Sequence, residues 1–143
     1  MKIVLDEGAY VPTRAHETDA GLDLYAMYGG ILYPTKDAAK SNGRVFDTGV
    51  HVELPPGYYG KIESKSGLNV KHGVVSCGGV IDEGYTGPIM VKLYNLGGRP
   101  YEISPGDKIA QLVIMPYATP TLEIVDTLNP TERGDNGFGS TGR

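Results

Sequence analysis

Apolar residues fall in short alternating stretches along this chain, and most stretches end at a glycine, a proline or a small polar residue. The alternation is clearest in "GVHVEL", where Val50, Val52 and Leu54 fall on one face of an extended backbone. The pattern predicts strands at Lys2–Leu5, Leu22–Met27, Arg44–Glu53, Tyr58–Ser64, Gly73–Cys77, Met90–Asn95, Tyr101–Ile103, Lys108–Pro116 and Thr121–Ile124. "LPPGYYG" and "ISPGDKI" are proline-glycine turns, in which Pro56 and Pro105 fix φ while Gly57 and Gly106 tolerate a positive one. One weak helix is predicted, with Thr35 capping "KDAAKSN" before Gly43. The fold class is therefore all-β, a closed sandwich or barrel of short strands, and patterning does not choose between them.

With 143 residues, 40% apolar and 21% charged, the chain has the size and composition of one globular domain, residues 1–143. No apolar run is long enough to cross a bilayer, and the start, "MKIVLDEGAY", lacks the apolar core of a signal peptide, so a cytoplasmic protein is expected. A single cysteine, Cys77, agrees with a reducing compartment. His16, His51 and His72 stand singly, and each reads as a surface or packing residue rather than a metal ligand. The net charge of -4 argues against broad contact with nucleic acid. One anionic small molecule remains possible if local donors and a divalent cation offset its charge.

Three stretches carry candidate chemistry. "GGVIDEGYTGPI" (78–89) resembles a hairpin with an acidic turn, which in isolation is usually just a solvated turn. "ESKSGL" (63–68) ends a strand in a small polar loop whose amides and hydroxyl suit a phosphate oxygen, or form an ordinary serine-glycine turn. The end of the chain, "RGDNGFGSTGR", is glycine-rich yet carries Phe138 and Arg133, so it is either a frayed terminus or a ligand-wrapping one.

Taken in order, "AGLDLYA" (20–26), "SKSGL" (64–68), "GVIDEGYTG" (79–87), "SPGDKIAQLVI" (104–114) and "RGDNGFGSTG" (133–142) resemble the five motifs of the trimeric deoxyuridine triphosphatases. The resemblance implies a distorted β-barrel or jelly-roll subunit and a homotrimer whose active sites are shared among three chains. It implies hydrolysis of dUTP to dUMP and pyrophosphate with Mg2+, which keeps uracil out of DNA and supplies dUMP for thymidylate synthesis. By the same match Asp82 is the base that activates water, and Gln111 orients phosphate or water. Asp23 reaches magnesium through water, although an aspartate between two leucines on a strand also fits a solvent-facing position. Lys65, Ser66 and Gly67 contact phosphate. The hairpin residues Ser76, Gly79, Val80 and Ile81, with Met90 on the return strand, read uracil by amides and carbonyls, a pattern that leaves cytosine's amine unmatched. Tyr85 packs on the deoxyribose, or alternatively in the core. Residues 133–143 become a lid in which Phe138 stacks on uracil, Arg133 pairs with the γ-phosphate, and Gly139, Ser140 and Thr141 offer donors.

Two departures stand out. Lys65 and Ser64 occupy positions where the motif usually has arginine preceded by proline, and Ser76 stands where asparagine is common. Lysine keeps the charge and loses the planar fork. The stretch 28–44 is longer than the family needs and reads as a tolerated surface insertion, with docking of a regulatory protein as the alternative. A deaminase of dCTP, which shares the fold, is the competing enzyme. A dUTP-binding regulator is the competing non-enzyme.

Overall fold

The computed structural model describes residues 1–37 and 43–136. The strands are β1 (Lys2–Leu5), β2 (Gly21–Tyr25), β3 (Gly30–Leu32), β4 (Arg44–Asp47), β5 (Val50–Glu53), β6 (Tyr58–Ser64), β7 (Val74–Ser76), β8 (Val80–Ile81), β9 (Met90–Asn95), β10 (Tyr101–Ile103) and β11 (Lys108–Pro116). One short helix, α1 (Ser66–His72), separates β6 from β7. The strands form four antiparallel sheets among the described residues, ordered β1-β5, β10-β3, β2-β11-β6-β8 and β4-β9-β7. The architecture is thus nearly all-β, and among the described residues no sheet closes on itself as a barrel.

All four sheets turn their apolar faces to one core. Val50 and Val52 enter it from the first sheet and Leu32 and Ile103 from the second. Leu24, Ile62 and Leu112 come from the third, and Phe46, Val91, Leu93 and Val74 from the fourth. Removing a side chain such as Leu112 from a close-packed site of this kind costs about 2–5 kcal/mol.

The predicted strand 44–53 is two strands that belong to different sheets. The chain turns a corner at Thr48 and Gly49: the Gly49 amide donates to Asp47 Oδ1 (2.8 Å), and the buried Thr48 hydroxyl donates to the Ile89 carbonyl (2.8 Å). Gly49 has φ of +61°, which glycine adopts without strain. Apolar alternation runs straight through this corner, so it was invisible in the pattern.

Segment 28–44 is only partly a surface insertion. β3 pairs with β10, Leu32 is buried, and the Asn95 side chain donates to the Leu32 carbonyl (2.9 Å). The predicted helix falls largely on residues 38–42, outside the described residues; Thr35 and Lys36 form a turn. The predicted strand Thr121–Ile124 is not a strand and pairs with none among the described residues, and Leu122 and Ile124 are almost fully exposed.

Candidate active site

Two groups of residues from the motifs come together on the fold, and the first gathers on the β2-β11-β6 face. Gln111 of β11 lies opposite Asp23 of β2 on one side and Glu63 of β6 on the other, so these side chains share a face. Between Lys108 and Ala110 the register shifts by one residue. Such a bulge reverses the face of the residues before it, which puts Lys108 on the side of Asp23 and lets Ile109 and Ala110 both be buried. As a result Lys108 Nζ reaches Asp23 Oδ2 at 2.7 Å, while Lys65 Nζ pairs with Oδ1.

Asp23 is 5% exposed, so it does not face solvent. Burial pushes its pKa up, but hydrogen bonds and charge from Lys108 and Lys65 outweigh that and hold the carboxyl below its ordinary value. The same pairing holds Lys108 in its charged form, its pKa raised chiefly by the hydrogen bond to Asp23. Gln111 donates from Nε2 to the Ser64 carbonyl (3.2 Å). Gly21 lies close beside it, so a Cβ there would displace the Gln111 carboxamide.

Beyond Lys65 the chain enters α1 rather than a loop. The helix has no side-chain cap, no acid in its first turn and no buried residue, and it stops at Gly73 with φ of +69°. Its first hydrogen bond is Asn69 N to Lys65 O (3.0 Å). The amides of Ser66, Gly67 and Leu68 therefore precede the helical ladder, as in any first turn, and are suited to phosphate oxygens.

The second group is the hairpin. Gly79, Val80, Ile81, Asp82, Tyr85, Pro88 and Met90 line a cavity of about 250 Å³. Ser76 borders an adjoining one of about 280 Å³, together with Gly78, Gly79, Val80 and β6 residues. Asp82 is exposed at the head of a turn in which the Tyr85 amide donates to the Asp82 carbonyl (3.0 Å). The Tyr85 hydroxyl donates to the Pro88 carbonyl (3.0 Å), so its ring stands at the cavity rather than in the core. Glu83 anchors the turn: its Oε2 accepts from the Gly57 amide (2.8 Å) and the Tyr117 hydroxyl (2.9 Å). That hydrogen bond is the main reason the Tyr117 pKa is raised.

His51 ties the far end of the turn. Its Nδ1 meets the Thr86 carbonyl at 2.8 Å and its Nε2 meets Asp6 Oδ1 at 3.2 Å. Both partners are acceptors, so the doubly protonated ring satisfies them best, and the His51 pKa rises, first through Thr86 and then through Asp6. A larger cavity of about 460 Å³ lies on the β1-β5 sheet, but its charged lining includes the Lys2–Glu53 pair (2.7 Å), both exposed and already satisfied. The smaller hairpin cavity is the candidate chemical site, because it carries an exposed carboxylate, Asp82.

Arg133 is exposed and donates from Nε to the Asn136 carbonyl (3.1 Å), within its own turn. Phe138, Gly139, Ser140 and Thr141 lie outside the described residues.

The family model for dUTPase matches residues 7–142. The chain belongs to the dUTPase family. It is 42% identical over 139 residues to the deoxyuridine 5'-triphosphate nucleotidohydrolase of Mus musculus, covering 97% of this chain and 82% of that one. It is also 42% identical over 147 residues to the enzyme of the same name from Clostridium novyi (strain NT), covering 99% of both. Among solved structures, a mutant dUTPase of Staphylococcus bacteriophage 80alpha with dUpNHpp superposes with a TM-score of 0.86 at 32% identity, covering 99% of this chain and 98% of that one. A mutant dUTPase from phage phi11 of S. aureus, described with a coordinated structural Mg(II) ion, superposes at 0.78 with 32% identity, over 88% and 96% of the two chains.

Sequence reasoning missed Ser64, Glu83, Lys108 and Tyr117 as supports of these two groups. Ser64, Glu83 and Lys108 stood inside the motifs, and for Glu83 the signal was a charge beside Asp82.

Proposed function

We propose that this dUTPase family member hydrolyses dUTP to dUMP and pyrophosphate. The observation that carries the reading is the hairpin cavity, where Gly79, Val80, Ile81, Asp82, Tyr85 and Met90 surround one concave space. Uracil enters there against amides and carbonyls, and Tyr85 lies along the sugar. Asp82 takes a proton from a water that attacks the α-phosphorus; the bond from that phosphorus to the bridging oxygen breaks, and pyrophosphate leaves. The α1 amides of Ser66 and Gly67, with Lys65 and Gln111, hold the phosphates. Arg133, Phe138, Gly139 and Ser140 close over the nucleotide.

Magnesium belongs to this reading through the substrate. Among the described residues no three His, Cys, Asp or Glu side chains gather, and both Asp23 oxygens already have ammonium partners. These side chains do not fit a direct magnesium site, so a cation would be held by phosphate oxygens, with Asp23 at most reached through water. Bound there, it would neutralise phosphate charge.

The reading extends to a homotrimer with shared sites. Leu122, Ile124 and Leu128, in the stretch after β11, are between 87% and 99% exposed, an arrangement that calls for burial against another copy. In the cell the activity would hold down dUTP, so that uracil stays out of DNA, and supply dUMP to thymidylate synthesis in the cytoplasm. No described helix is long and apolar enough to cross a membrane. The test is pyrophosphate release across dUTP, dCTP, dTTP and UTP, with ammonia release from dCTP as the deaminase control.

A further inference from the structure

We propose that the Ser64 hydroxyl is a positioning group that fixes the nucleobase loop, residues 76–79, against the phosphate-binding turn and thereby sharpens the choice of uracil. The inference rests on the dUTP reading of the site.

The ladder on this edge of β6 pairs Gly60 with Ile81 and Lys61 with Val80, then continues as Ile62 N to Gly79 O (2.8 Å). Past that point the backbone of the loop leaves the edge, and the Ser64 side chain supplies the next rung. Its Oγ accepts the Ser76 amide at 2.9 Å and shares a hydrogen bond with Ser76 Oγ at 3.1 Å. The next amide, Cys77 N, is held by the Lys92 carbonyl (3.0 Å). Between these anchors and the Gly79 carbonyl the loop turns through Gly78 and Gly79, with φ of +81° and +124°. A Cβ on Gly79 would collide with Ile62, so the loop is packed as well as tethered.

Ser64 also faces the other group. Its carbonyl accepts from Gln111 Nε2 (3.2 Å), and it directly precedes Lys65, the partner of Asp23. One residue therefore links the uracil loop by its side chain and the phosphate group by its main chain. Two of the residues that depart from the motif, Ser64 and Ser76, are thereby one device: they touch, and a hydroxyl at 64 suits a short side chain at 76. Alanine or proline at 64 would leave the Ser76 amide without its acceptor. A loop freed in this way would read the pyrimidine edge less strictly, because rejection of cytosine depends on backbone groups that cannot move to accommodate it.

The test compares the parent with Ser64→Ala, Ser64→Thr, Ser76→Ala and the Ser64→Ala/Ser76→Ala double variant, using dUTP and dCTP with pyrophosphate readout and amide hydrogen exchange. Ser64→Ala is expected to raise KM for dUTP about tenfold with kcat within about threefold, and to lower the dUTP over dCTP preference about tenfold, the scale of one hydrogen bond. Exchange at the Ser76 amide should accelerate at least ~10-fold while that at Cys77 holds, since only Ser76 loses its acceptor. Ser64→Thr should restore both, and adding Ser76→Ala to Ser64→Ala should add less than about twofold, as expected for partners in one interaction. A preference within about twofold of the parent in Ser64→Ala, or unchanged Ser76 exchange, overturns the proposal while leaving dUTP hydrolysis standing. A parent that releases no pyrophosphate overturns both. Should Ser64→Ala not fold, exchange in the parent decides: a Ser76 amide as protected as Cys77 supports the proposal, and an unprotected one overturns it.

Discussion

At Asp23 two opposing effects act on one carboxylate, and the winner sets how the protein responds to acid. Withdrawal from water favours the neutral form, yet two ammonium groups hold the charged one, so the folded pKa lies below the ordinary 3.8. A group of this kind contributes stability that is fully present above pH 3.8 and is lost as pH falls through the lowered folded value. Asp23→Asn should cost about 1–3 kcal/mol at neutral pH, less than a fully buried pair because both lysines reach solvent. In urea unfolding followed from pH 6 downward, the variant should lose the steepest part of the acid decline; an identical decline would remove Asp23 from this role. Asp82 is different, since it is exposed and structurally undemanding. Asp82→Asn should fold normally, bind nucleotide and lose about 10²–10⁴-fold in turnover, the range of a positioned base. Retained turnover would mean that another group takes the proton. Asp82, Tyr85 and Gln111 were legible in the sequence as candidates through the motif resemblance, and the first two line the hairpin cavity while Gln111 lies opposite Asp23. Lys108 was not, because its face depends on the bulge before Ala110.

The elements show the same division. Strands bounded by proline-glycine turns, such as β6 and β11, were legible to the residue. α1 was not, since it buries nothing and begins with serine and glycine, residues that favour turns. The corner at Thr48–Gly49 was hidden by alternation that continues across it, and β3 and β8 are too short to show a period. The hairpin loop makes an element-scale prediction. Gly79→Ala must either give up φ of +124° or push against Ile62, so KM for dUTP should rise at least about tenfold with little change in melting temperature. An unchanged KM would show that the loop is not held as described.

For the whole molecule, the four sheets supply one core, but the stretch that follows β11 has no place to bury its apolar side chains. Thr121–Ile124 alternates as a strand does, and a strand needs a partner that the described residues of one copy do not offer. Ile124→Asp should therefore shift the proposed trimer toward monomer in sedimentation velocity while leaving the monomer's fold intact; an unaltered sedimentation coefficient would exclude the arm from assembly. The enzyme reading is tested most directly by initial rates of pyrophosphate release from dUTP, dCTP, dTTP and UTP under one set of conditions with Mg2+. Rates on dUTP at least about 10²-fold above the other three are predicted, since each of them leaves a site group unpaired or without room. Equal rates on all four, or ammonia from dCTP in place of pyrophosphate from dUTP, would contradict it.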